Sequence, residues 1–165
     1  MKIEDLLIEG LPDDGTGLDD AFSDGSLDES EIISIETVPR ESSVGLLLGG
    51  SLWFAQWDFV VVVVRGVGEL SVDIASHPGH YARTILGSEV RAEEGEVELV
   101  LPLTETRGRI SVVGSRIEMY FGFVPGISPQ RPYYGLPRRL VRSGLPDWNS
   151  EFDVRATSVL DVASG

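Results

Sequence analysis

Cysteine is absent from the sequence, which removes disulfides, thiolate nucleophiles and every zinc or iron–sulfur site that depends on sulfur. No conclusion about redox compartment follows. Lysine is almost absent as well, since Lys2 stands alone beside twelve arginines. A GC-rich genome explains that bias better than salt adaptation, which would spread acids over the whole chain. Histidine occurs only at His77 and His80. The sequence also lacks a phosphate-cradling glycine loop and a Gly-x-Ser-x-Gly elbow, so none of the motif-bearing enzyme classes is indicated. The first ten residues, MKIEDLLIEG, are acidic and have no cationic start followed by an apolar run. No secretion signal is therefore expected, and a virion or the cytoplasm is favoured.

What is present suits one folded domain. The chain has 165 residues, 42% of them apolar and 24% charged, enough to build a single core. Its net charge of −14 is unevenly spread. Residues 1–40 hold twelve Asp/Glu against Lys2 and Arg40, whereas residues 41–165 hold fifteen acids against eleven arginines. The segment Asp13 to Ser30, DDGTGLDDAFSDGSLDES, has only Leu18, Ala21, Phe22 and Leu27 as apolar anchors. Such a composition predicts an extended acidic arm over residues 1–30, followed by a domain over 31–165. So acidic a chain repels phosphates, and no direct nucleic-acid binding is expected.

From Glu31 onward the pattern is one of strands and turns. Ile32 to Val38 and Val44 to Leu48 give two strands. Leu52 to Arg65 gives a long third, apolar on both faces, with Trp53, Trp57, Phe59, Val61 and Val63 on one side and Val60, Val62 and Val64 on the other. The apolar stretch Leu46 to Val64 is long enough to span a bilayer. Gln56, Asp58 and the valine run make it a buried strand instead, and no membrane partner is expected. Val67 to Ala75 and Glu96 to Leu101 alternate as half-buried strands, the latter leaving Glu96 and Glu98 on a wet face. One short helix is expected near residues 80–87. Gly114-Ser115 predicts a hairpin between Arg107–Val113 and Arg116–Val124, and Glu151 to Leu160 closes the domain. The fold class expected is all-β, a single sandwich or barrel of about eight antiparallel strands.

Three constellations invite a chemical reading. His77 and His80 form an H-x-x-H pair, but Pro78-Gly79 between them breaks the geometry that would aim both rings at one ion. Asp20 to Glu31 has the acid spacing of a twelve-residue calcium loop, with Phe22 where a liganding oxygen belongs and no flanking helices. No metal site, no cofactor and no catalytic residue are assigned. The third constellation is a charge complementarity. Residues 125–149 contain five of the nine prolines, no acid lies between Glu118 and Asp147, and the interval carries Arg131, Tyr133, Tyr134, Arg138, Arg139 and Arg142. Arginine with tyrosine is the composition of protein-contact surfaces.

These features point to a non-enzymatic structural protein that assembles through protein–protein contacts. A phage or viral virion component, capsid or tail, fits best, with a homo-oligomer or other assembly proteins as partners. Leu18, Phe22 and Leu27 of the arm and the arginines and tyrosines of the loop are the expected interaction residues. The alternative is an acidic inhibitor or immunity protein that blocks a basic partner such as a nuclease. A ligand-binding barrel built on Trp53 and Trp57 has less support, because both rings fall in core positions.

Overall fold

The computed structural model describes residues 1–12, 17–18, 20–49, 56–73, 84–104, 108–127 and 145–162. A six-residue helix, α1 (Ile3–Ile8), precedes nine strands. These are β1 (Glu31–Val38), β2 (Ser43–Gly49), β3 (Phe59–Arg65), β4 (Glu69–Asp73), β5 (Glu89–Glu93), β6 (Glu96–Pro102), β7 (Arg109–Gly114), β8 (Arg116–Phe123) and β9 (Asp153–Asp161). They form two antiparallel sheets, one ordered β1-β2-β3-β8-β9 and the other β4-β7-β6-β5. The protein is therefore all-β. Among the described residues no helix is long and apolar enough to cross a membrane.

The valine run explains the layering. Val60, Val62 and Val64 point into one core cluster with Leu46, Leu48, Met119 and Phe121 of the same sheet and with Val97, Leu99, Leu101, Ile110 and Val112 of the other. Phe59, Val61 and Val63 point the opposite way, into a second cluster with Leu47, Tyr120 and Phe152 that is closed by Ile3, Leu6 and Leu7 of α1. The five-stranded sheet is thus buried on both faces, as a strand without polar alternation requires.

Several expectations need revision. Gly114-Ser115 is not a hairpin turn, because β7 pairs with β4 and β6 while β8 pairs with β3 and β9. The dipeptide carries the chain from one sheet to the other, and the Ser115 N–H donates to the Arg65 carbonyl at 2.9 Å where β3 makes the reverse crossing. A two-residue hairpin turn does join paired strands at Glu94-Gly95, between Glu93 and Glu96, with both central residues at positive φ. Trp57 does not share the face of Phe59 and Val61. It lies ahead of β3, packs against the inter-sheet cluster and meets Phe123 edge-on at 5.7 Å between ring centroids. Residues 52–55, the first part of the long strand expected here, lie outside the described residues. So do residues 80–83 of the expected short helix; the following Thr84 and Ile85 make isolated bridges to Glu31 and Leu103.

The N-terminal thirty residues, where described, do not extend away from the body. Ile3, Leu6, Leu7, Ala21 and Leu27 are at most 1% exposed. Counting acids concealed the apolar period of Ile3, Leu6 and Leu7, which is that of one helical face.

Candidate functional site

A helix of six residues is too short to hold itself, and its ends leave unpaired backbone groups that something else must satisfy. Around α1 the body supplies both ends. The Ile3 and Glu4 N–H groups donate to the Ser150 and Trp148 carbonyls at 3.0 and 2.8 Å, and the Phe152 N–H donates to the Met1 carbonyl at 2.8 Å. At the other end, Arg65 at the close of β3 donates through Nη2 to the Leu6 carbonyl at 2.6 Å and through Nη1 to the Leu7 carbonyl at 2.8 Å.

The same guanidinium is paired in a fork with Glu118 of β8, Nε to Oε1 at 2.8 Å and Nη2 to Oε2 at 2.9 Å. Glu118 also accepts from Arg116 Nε at 2.8 Å and from the Tyr120 hydroxyl. Tyr120 in turn accepts from the Leu11 N–H at 3.2 Å, and Arg116 continues to Asp161 at 2.9 Å. Every side-chain polar atom of Arg65, Glu118 and Tyr120 has a partner.

Electrostatics in the clamp follow from that saturation. Burial by itself would raise Glu118, but hydrogen bonds from Arg65, Tyr120 and Arg116 and the Arg65 charge outweigh it and hold the carboxyl below its usual range. Tyr120 is pushed up to about 12, first by burial and then by its hydrogen bond to Glu118. Arg65 is raised despite burial, because Glu118 stabilises its charge. These are shifts toward the paired state: a charged carboxylate, a neutral phenol and a charged guanidinium. They hold α1 in place.

A second polar region lies on the outer face of the four-stranded sheet. Glu69, Val113, Glu98 and Arg91 stand side by side across β4, β7, β6 and β5, with Asp73 beside Arg109 at the far end of the β4–β7 pair. With Glu89, Glu93 and Glu96 the face carries six carboxylates against two arginines. Glu98 accepts from Ser111 at 2.9 Å, and Arg91 pairs with Glu89 at 2.6 Å. A shallow depression of about 440 Å³ is lined by Arg91, Glu93, Glu96, Glu98 and Val113.

No family model, curated protein or solved structure matches the chain. Its chemistry is therefore read from its own residues.

Of the expected interaction residues, Leu18, Phe22 and Leu27 come together, all packed on the inter-sheet cluster, and Leu27 is 1% exposed. The Leu18 N–H donates to Ser158 Oγ at 2.8 Å, which pins this stretch along β9. Their apolar surface serves the chain's own core. Arg131, Tyr133, Tyr134, Arg138, Arg139 and Arg142 lie outside the described residues, as do His77 and His80. In the calcium-like stretch, Asp28 Oδ1 accepts from the Gly87 and Ser88 N–H groups at 2.8 and 2.9 Å, a turn-anchoring role. Among the described residues no group of three or more His, Cys, Asp or Glu could hold a metal ion.

The clamp was missed in the sequence. Its signal was there: Glu118 interrupts the run Ile117 to Phe123, and Arg65 ends the valines. A charge inside or at the end of a strand covered on both faces must have a buried partner.

Proposed function

We propose that the protein is a non-enzymatic structural component that acts through protein–protein contacts, built as a β-sandwich and serving in a virion, as a capsid or tail part, with copies of itself or other assembly proteins as partners. The observation that supports this reading is the saturation of the Arg65–Glu118–Tyr120 clamp. The groups of strongest electrostatic interest are spent on fixing a short helix to a sheet, which is the use of buried charge expected of a scaffold. Light scattering across protein concentration and at two salt concentrations tests it. A defined oligomer supports assembly, and a monomer under every condition overturns it.

The acidic outer face of the four-stranded sheet favours a second reading, an inhibitor or immunity protein that blocks a basic partner. Six carboxylates on one open face steer a cationic surface toward it, an effect that weakens as salt rises. Titration against basic nucleases tests this. Stoichiometric, salt-sensitive inhibition supports it, and activity unchanged at micromolar protein removes it.

A further inference from the structure

The two sheets end in four edge strands: β1 and β9 in one, β4 and β5 in the other. An edge presents unpaired backbone N–H and C=O groups and invites another strand, so protein edges are usually kept short, charged or covered. β4 and β5 are five residues each and carry Glu69, Asp73, Glu89, Arg91 and Glu93. β9 is overlaid by Gly17 and Leu18. β1 is different. It has eight residues, Glu31–Val38; beyond β2 its start is engaged through the bridge from Glu31 to Thr84, and the Ser34 side chain accepts from Trp148 Nε1 at 2.9 Å. Among the described residues, none makes a backbone hydrogen bond to Ser34–Val38 outside the ladder with β2. This stretch reads Ser-Ile-Glu-Thr-Val, rich in β-branched residues and free of lysine and proline.

We propose that this edge is the docking site for a second copy of the chain, β1 adding antiparallel to β1 about a twofold axis at Ile35. The proposal rests on the assembly reading and names its surface. Self-pairing is favoured by register. An axis at Ile35 sets Ile35 against the partner's Ile35 and Ser34 against the partner's Glu36, whereas an axis at Glu36 would oppose two carboxylates. Ile35 already packs on the inter-sheet cluster, so the Ile35 pair continues that core across the axis. The two five-stranded sheets then run on as one, and both edges are satisfied in a closed, isologous dimer.

The absence of cysteine makes the test clean. I35C introduces the sole thiol, and Cα atoms directly opposed in an antiparallel pair lie within disulfide reach, about 4.5–5.5 Å. Mild oxidation of full-length I35C is expected to give a covalent dimer, while V38C, three residues from the axis, gives none. Thr37 is exposed, so T37K places a lysine on the edge without disturbing the core, and it is expected to weaken dimerisation by roughly tenfold or more. Parent-like melting of T37K keeps the result readable even where I35C folds poorly. An oligomer whose mass T37K leaves unchanged overturns the β1 interface and spares the assembly reading. A monomer at all concentrations overturns both.

Discussion

The two sheets solve the same burial problem in opposite ways. The five-stranded sheet is wrapped on both faces, by the other sheet on one side and by α1 with residues 145–152 on the other, so β2 is buried along its whole length. The four-stranded sheet is dry on one face and wet on the other, and its β4 and β5 are mostly exposed. Substitutions should therefore cost much more in the first sheet than in the second, and the largest costs belong to the charges that hold the wrapping in place.

The sharpest break is at Glu118. Glu118→Ala leaves Arg65 and Arg116 without their shared carboxylate and should cost about 3–5 kcal/mol, read as a large fall in melting temperature. A loss under 1 kcal/mol would show that water replaces the carboxylate and that the clamp is not what seats α1. Next comes Gly45 in β2. A Cβ there would collide with Leu7 and crowd Trp148, so Gly45→Ala should cost about 1–3 kcal/mol by prising α1 from the sheet. Denaturant titration measures it. At the small end, Arg91→Ala on the wet face should leave the melting temperature indistinguishable from the parent's, since its pairs with Glu89 and Glu98 are open to solvent and screened. A clear fall in melting temperature there would mean the outer face is structural after all.

Acid and alkali sharpen the same comparison. Glu118 is held below its ordinary value of 4.5, so its contribution is complete above that pH and lost as the pH falls through the lower folded value. Glu118→Gln should flatten the acid limb of the stability curve. Tyr120 is held up, so its contribution is complete below 10 and lost as the pH rises toward about 12. Tyr120→Phe should remove that alkaline loss, and an alkaline limb identical to the parent's would show that other groups control it.

The sequence carried the wrapped sheet's centre plainly. A run of five valines cannot alternate, and its two-sided burial follows from that alone. The wet faces of β4 and β6 were legible for the complementary reason, through alternation. What stayed hidden depended on partners distant in sequence. The helical face of Ile3, Leu6 and Leu7 is too brief to signal order by itself, and becomes a helix because Arg65 and residues 148–150 satisfy its ends. Arg65 and Glu118 lie 53 residues apart, and no local pattern announces that they meet. The Gly114-Ser115 dipeptide showed where the chain turns; only the sheet pairings showed that it changes layer. Phe152 and Ala156 stand four residues apart, positions that share a face in a regular strand, but a bulge opposite Phe121 and Gly122 moves Phe152 to the helix side and leaves Ala156 in the inter-sheet core.

The crossing at Gly114-Ser115 also sets the order in which the molecule can be made. β3 and β8 are neighbours in the wrapped sheet, yet the whole of β4 to β7 lies between them in the chain. Joining β3 to β8 first would mean closing a slack loop of about fifty residues for one strand pair, an entropic loss repaid late. Folding β5, β6 and β7 first, through the Glu94-Gly95 turn and their short connection, shortens that loop before it closes. By this route the wet sheet is the clasp that brings the two halves of the wrapped sheet together.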